Sequence, residues 1–394
     1  YENDMIEPSN ILKQFLSYSF AEVDKIKQDF ISKGYQIIDL GVGDPSDPTY
    51  EGIVEGLKKG AEKHAKTGYP PYDGREELKY AISEWLKRRF KIDVDYKKRI
   101  VVTSGSKEAI FHFPLAFLNQ GDRVLIPSIG YPPYKSGTIF AGGIPIYYSI
   151  KEENHFLPDL NEIEELIKKY KPKIMWVNYP NNPTTIIAKR DFYADLINIT
   201  RKYNVIVASD EAYIDIYEDE IPPSILEATN DWSNIVAFHS LSKRNNATGL
   251  RIGFVIGGEE IIRYFLALKT QIDSGVANVL QEAAVYAFRD DSHAEYMRKV
   301  YSRRRAMLKR ALERKGIKCY SEATIYIWAK VNDSISFVKR LLSLDGERKI
   351  GINATPGKLL ALNEDQEANK FVRFALVAND DHIKLASEII EEKL

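Results

Sequence analysis

A succession of short β-rich runs, separated by helical stretches, constrains this chain more than any other feature. The runs are RIVVT (99–103), RVLIP (123–127), IPIYYS (144–149), KIMWVN (173–178), VIVASD (205–210), NIVAFHS (234–240) and RIGFVIG (251–257). Most are continuously apolar rather than alternating, so both faces of these strands need cover. Stretches with helical periodicity lie between many of them: SKEAIFHFPLAFLNQG (106–121), DLNEIEELIKKY (159–170) and AKRDFYADLINITRKY (188–203). Alternation over this length predicts a three-layer α/β domain built on a mainly parallel sheet.

The pattern changes after about residue 257. A long helical region runs from EEIIRYFLALKTQ to SHAEYMRKVYSRRRAMLKRALERKG (292–316), with Gly316 as its expected C-terminal stop. The strands TIYIWAKV (324–331) and FVRFALVA (371–378) and a last helix, DHIKLASEIIEEKL (381–394), predict a smaller α+β domain. The N-terminal helical segment is expected to pack on it, because an isolated amphipathic helix must bury its apolar face. The expected division is 1–43 as that segment, 44–283 as the large domain and 284–394 as the small one. At 394 residues the chain has ample length for two cores.

Composition narrows the partners. Lys and Arg number 55 against 56 Asp and Glu, which removes the electrostatic case for a nucleic-acid binder. A single Cys can form neither an internal disulfide nor a metal knuckle, so a reducing, cytoplasmic setting is expected. Cys319 itself is expected to be buried or inert. No apolar run approaches the ~20 residues of a membrane span. The opening YENDMIEPSN has no signal-peptide pattern, and a first residue of Tyr points to residues upstream. The six histidines lack H-x-x-x-H spacing, so no metal site is expected. RRRAMLKR (303–310) reads as a solvated basic helix face. GVG (41–43) falls short of a dinucleotide fingerprint, and there is no Walker motif.

The chemistry concentrates at strand ends, where open α/β sheets bind their ligands. In AFHSLSKRNNATGLRIGF (237–254), two hydroxyls (Ser240, Ser242), an amine (Lys243) and a guanidinium (Arg251) cluster between apolar strands. That set can bind a phosphate while leaving the amine free to form an imine; the alternative is a solvated lysine. VIVASD ends at Asp210, with Tyr213 three residues on. A carboxylate there is a cap, or it keeps the nitrogen of a pyridine ring protonated while the tyrosine bonds a ring hydroxyl. In WVNYPNNPT (176–184), Asn182 is a turn residue or offers its amide to the same ligand. SGSKEAI (104–110) opens a helix, where Ser104 or Ser106 caps with Glu108 in the first turn, and where converging free backbone amides can also take a phosphate; the two readings are compatible. Tyr131, in PSIGYPPY (127–134), buries its ring in a loop or stacks on a flat cofactor. Arg373 interrupts an apolar strand and needs an anion, either a structural carboxylate or that of a substrate.

Together these residues resemble the pyridoxal phosphate-dependent aminotransferases of class I/II, fold type I. The likeness spans almost the whole chain, from GVGDPSDP (41–48) to FVRFAL (371–376). It implies a mainly parallel seven-stranded sheet in the large domain, pyridoxal 5'-phosphate as cofactor, and a homodimer with active sites at its interface. It makes Lys243 the lysine that carries the coenzyme and moves the substrate proton, with Ser240, Ser242 and Arg251 around the phosphate. Asp210 pairs with the ring nitrogen, Tyr213 and Asn182 hold the ring oxygen, Tyr131 stacks, and Ser106 and Lys107 complete the phosphate cradle. Tyr69 in TGYPPYDGREELK resembles the tyrosine that reaches the neighbouring subunit's phosphate. Gly43, Asn182 and Arg373 match positions that bind the substrate carboxylate.

Within the family, HSLSKRNNATGLRIGF, PPSILEA (222–228) and TQIDSGVANVLQEAA (270–284) are similar to LL-diaminopimelate aminotransferases. That implies an amino donor of this kind and 2-oxoglutarate as acceptor, with N-succinyl-diaminopimelate, aspartate or a broad donor range as alternatives. Thr185 stands where N-P-T-G is usual, PGKLLAL (356–362) lacks the usual aromatic–Gly pair, and TGYPPYDGREELK lacks an acidic or amide residue found in plant-type members. These departures bear on donor choice. A lyase or decarboxylase on the same fold and a coenzyme-binding regulatory module are the alternatives of other kinds.

Overall fold

A computed structural model describes residues 6–66 and 68–394, so the first five residues of the N-terminal segment lie outside the description. Seven strands build the large sheet: β1 (Ile100–Thr103), β2 (Arg123–Pro127), β3 (Ile144–Tyr148), β4 (Ile174–Asn178), β5 (Ile206–Asp210), β6 (Ile235–Ser240) and β7 (Gly253–Gly257). Their order is β1-β7-β6-β5-β4-β2-β3, and every pairing is parallel except the two made by β7. The seven runs read from sequence are these seven strands. Helices cover both faces: Val102, Val177 and Ile256 point into one core, Val101, Trp176 and Val255 into another. That two-sided cover is why the runs are apolar throughout.

The sheet's register sets the site. Asn178 lies opposite Asp210, and Asp210 opposite Phe238, so β4 and β5 end together and β6 runs two residues further, to Ser240. Because β7 runs the other way, its first residue, Gly253, lies opposite both Ser240 and Thr103. Arg251, just before it, is thereby delivered to the same edge as the ends of the parallel strands.

A second core gathers Val23, Ile38 and Leu40 from the N-terminal segment with Ile327, Phe374 and Ile389. Gln36–Asp39 pairs in parallel with Ile350–Asn353. Tyr326–Lys330 and Phe371–Ala375 are antiparallel, flanked by Thr355–Pro356 and Cys319–Tyr320. The helix Ser292–Arg314 ends in a Schellman turn: Gly316 is left-handed at φ 77°, and Ile317 N–H donates to the Leu312 carbonyl. Among the described residues, no helix is long and apolar enough to cross a membrane.

Three expectations change. The stretch 106–121 is an α-helix only over Gly105–His112 and then tightens to a 3-10 turn, Phe113–Ala116, because Pro114 has no N–H to continue the ladder. The long helical region after residue 257 is three helices: Glu259–Ile272, Asn278–Arg289 and Ser292–Arg314. The basic run 303–310 is a solvated face only in part: Arg303 and Arg310 are exposed, but the two arginines between them, Arg304 and Arg305, are buried. Arg304 is buried and forks onto Asp47 at 2.7 and 2.8 Å while bonding Asp380 at 2.9 Å. Arg305 is buried against Glu218, Ser321 and the Thr324 carbonyl. Charge counting along a helix cannot reveal carboxylates supplied by distant segments.

Candidate active site

A cavity of about 680 Å³ opens where the large sheet's strand ends face the smaller core. Gly43, Ser106, Lys107, Tyr131, Asn182, Asp210, Tyr213, Ser240, Ser242, Lys243, Arg251 and Arg373 all line it. Tyr69 does not. It is 89% exposed on a loop outside the cavity of its own chain.

One end of the cavity suits an anion. The helix Gly105–His112 begins without any side-chain cap; Glu108 accepts the Ser104 N–H at 3.3 Å, but the Ser104 hydroxyl does not reciprocate. Its first amides therefore stay free, beside Ser106, Ser242 and Arg251, which is the arrangement that holds phosphate. Arg251 is held by the Thr248 carbonyl at 2.8 Å. Gly105 adopts φ 77°, and a Cβ there would sit 2.5 Å from the Arg251 guanidinium.

Asp210 stands deep in the middle. Burial pushes its carboxyl up to about 6, against the pull of hydrogen bonds from the Tyr134 hydroxyl (2.5 Å) and Ala212 N–H (3.2 Å). A buried carboxylate with only neutral donors is stabilised by a cationic ligand. Tyr131 lies beside it; burial and then the Asp210 charge push its phenol up to about 12, so it stays protonated.

Lys243 follows the short turn after β6, and its amine donates to the Gly43 carbonyl. Ser242 N–H bonds the Ser240 hydroxyl at 3.0 Å and fixes that turn. Across the cavity, Tyr213 and Tyr326 share a hydrogen bond of 2.9 Å between hydroxyls. Burial lifts the Tyr213 phenol well above its ordinary value. Burial acts the same way on Tyr326, but the Arg373 and Lys243 cations outweigh it and bring that phenol below its ordinary value.

Arg373 lacks the structural salt bridge that was one of its two sequence alternatives. It makes no ion pair among the described residues. Its guanidinium donates to Asn182 Oδ1 at 2.9 Å and the Gly41 carbonyl at 3.2 Å, covers the Tyr326 ring at 4.3 Å, and leaves Nε unpartnered and buried. A nearly buried cation without an anion has the capacity to take up a carboxylate.

Tyr134, Asn178 and Tyr326 are among the lining residues that escaped the sequence. Tyr134, fully buried and stacked on Trp176, bonds Asp210. Asn178 ties the Asn182 N–H (2.9 Å) to the Asp210 carbonyl (3.0 Å), joining two loops. Tyr326 contacts the arginine and Tyr213. Each is an ordinary strand or helix residue whose role depends on partners far along the chain. Thr185 is buried at φ 72° and its hydroxyl accepts the Glu322 N–H at 3.2 Å. In the unusual segment 356–362, Leu359 and Leu360 form part of the cavity wall. Cys319 is half-buried, and burial pushes its thiol up to about 12, so it is inert.

A phosphate end, a carboxylate facing a ring-sized space, a lysine and an unpaired arginine define an enzyme of amine chemistry on a phosphorylated ring, and residues 35–386 match the aminotransferase class I and II family. The chain belongs to that family, and it is a pyridoxal phosphate-dependent aminotransferase. It is 45% identical over 359 residues to an LL-diaminopimelate aminotransferase of Aquifex aeolicus, covering 90% of this chain and 91% of that one. Among solved structures it superposes on an aspartate aminotransferase of Thermotoga maritima with a TM-score of 0.87 at 29% identity, covering 98% and 99% of the two chains. A probable N-succinyldiaminopimelate aminotransferase of Thermus thermophilus gives 0.86 at 26% identity, covering 95% and 100%.

The phosphate end yields a direct expectation. Gly105→Ala adds a Cβ against Arg251 in a backbone region that costs an L-residue about 1–2 kcal/mol. The apoprotein's affinity for pyridoxal phosphate, followed by fluorescence titration, is expected to fall about tenfold with secondary structure intact.

Proposed function

We propose that the enzyme takes an amino group from LL-2,6-diaminopimelate and delivers it to 2-oxoglutarate, forming glutamate. The observation that carries the amino-acid chemistry is the unpaired, nearly buried Arg373 in one cavity with Lys243 and Asp210. The choice of donor is supported by 45% identity, over 90% of the chain, to a relative that bears that donor's name.

When bound, pyridoxal phosphate supplies an aldehyde that joins amines and a protonated ring that draws electrons from the substrate Cα. Lys243 would hold the coenzyme covalently until the donor's amine takes its place, and the amine so released would serve as general base for the proton on Cα. Asp210 keeps the ring nitrogen protonated; its own burial favours that cationic partner. Tyr213 and Asn182 hold the ring oxygen and Tyr131 stacks on the ring. Ser106, Lys107, Ser240, Ser242 and Arg251 hold the phosphate. Arg373, oriented by Asn182, forks onto the α-carboxylate beside Gly43.

Arg373 cannot tell one amino acid from another, so selection falls to the distal end of the donor, where an unmatched charge or hydrogen bond carries a large penalty. A panel with purified holoenzyme, measuring glutamate formed from 2-oxoglutarate, is expected to give LL-diaminopimelate the highest kcat/KM. A much higher value for aspartate or N-succinyl-diaminopimelate overturns the donor and leaves the aminotransferase standing.

The working unit in this proposal is a homodimer, with Tyr69 completing the partner subunit's phosphate site. Support comes from the exposure of Tyr69 together with that of Leu16, Tyr18, Val42 and Tyr72. Sedimentation of active, coenzyme-saturated enzyme at assay concentration is expected to give a dimer, and an active monomer contradicts it. Near-neutral charge and a single cysteine support small-molecule partners in a cytoplasmic setting rather than nucleic acid.

A further inference from the structure

We infer that Tyr326 is a positioning residue of this site: it orders the Tyr213 hydroxyl toward the coenzyme's ring oxygen and links it to the Arg373 carboxylate site. The inference rests on the proposed roles of Tyr213 and Arg373.

Tyr326 leaves its strand beside Arg373's own, with Trp328 opposite Arg373 in the register and Tyr326 opposite Ala375. It is buried, and its side chain meets three of the site's groups at once. Its hydroxyl lies 2.9 Å from that of Tyr213, the two rings meeting edge-on at 5.6 Å. Its face lies 4.3 Å under the Arg373 guanidinium. The hydroxyl also rests against Gly43, where any Cβ would run into it, and the Gly43 carbonyl accepts the Lys243 amine.

The cations of Arg373 and Lys243 favour negative charge on the Tyr326 oxygen, while Tyr213 is shifted the opposite way. Either hydroxyl can donate in this bond; with the coenzyme's ring oxygen as acceptor on the far side of Tyr213, Tyr326 donates and Tyr213 passes its own proton onward, each bond of the chain polarising the next. A carboxylate on Arg373 neutralises one of the two cations that act on the Tyr326 hydroxyl. Occupancy of the substrate site is thereby felt at Tyr213.

Tyr326→Phe removes the hydroxyl and keeps a ring under Arg373. The expected results are a rise of about 0.5–1 pH unit in the titration midpoint of the bound coenzyme's absorbance and a weaker affinity of apoprotein for pyridoxal phosphate, by about 3- to 10-fold. Donor KM should stay within about twofold while kcat falls. In a Tyr213→Phe background, Tyr326→Phe should move the midpoint no further, because its effect passes through Tyr213. An unchanged midpoint, or the same shift in both backgrounds, makes Tyr326 only a wall of the cavity and overturns the inference. If the wild type binds coenzyme but transaminates no donor, the proposed function fails, while the midpoint and affinity still decide the role of Tyr326.

Discussion

Lys243→Ala is expected to fold, bind pyridoxal phosphate without a covalent link, and lose nearly all turnover. The amine's one hydrogen bond in the structure is to the Gly43 carbonyl, which lines an open cavity, so truncation leaves no buried group stranded. Loss of a positioned general base alone costs about 10²- to 10⁴-fold. Among the described residues, no other lysine is placed to substitute: Lys107 lies at the phosphate end of the cavity, and Lys269 is buried in ion pairs with Glu108 and Asp273. Single-turnover kinetics on fully loaded protein, with circular dichroism as the check on folding, measure the loss. Retention of more than a tenth of the wild-type rate contradicts the role given to Lys243.

Asp210→Asn is expected to separate turnover from occupancy. Asparagine still accepts from Tyr134 and still reaches the ring nitrogen, but it cannot hold that nitrogen protonated. Removing one preorganised charge from a water-poor site costs about 10²- to 10³-fold in kcat, whereas coenzyme binding also draws on the phosphate contacts and the covalent link. Equal turnover for fully loaded wild type and variant overturns the assignment. The apoprotein offers a second readout with opposite sign. The folded carboxyl sits at about 6 against an ordinary 3.8, so its ionised form is disfavoured in the fold. That cost is absent below the ordinary value, grows as pH rises from there to about 6, and is full above it, reaching about 3 kcal/mol. Apo Asp210→Asn should therefore melt above apo wild type at pH 8, and the gap should shrink toward pH 5.

Much of this was legible in the amino-acid order because the decisive signals are local. A strand covered on both faces must be apolar throughout, so all seven strands of the large sheet stand out as runs. The residues that close strands and turn toward the ligand, such as Asp210 and the Ser240–Lys243 stretch, are polar breaks at the ends of those runs. Long-range pairing was not legible. Arg304 and Arg305 read as a charged surface because Asp47, Asp380 and Glu218 lie about 80 or more residues away along the chain. Tyr134 and Tyr326 carry no signal in the sequence, because only the folded sheet brings one to Asp210 and the other to Tyr213 and Arg373. Pro114 was in plain view, yet the apolar periodicity around it masked the early end of the helix at His112.

Reduction of the holoenzyme with borohydride, followed by peptide mass mapping, tests the centre of this account most directly. It fixes whichever amine holds the coenzyme and reports the position independently of substrate. The phosphopyridoxyl mass is expected on the peptide containing Lys243 and to be absent from the Lys243→Ala variant. The same mass on another lysine, or no adduct in enzyme that is active with its coenzyme, would contradict it.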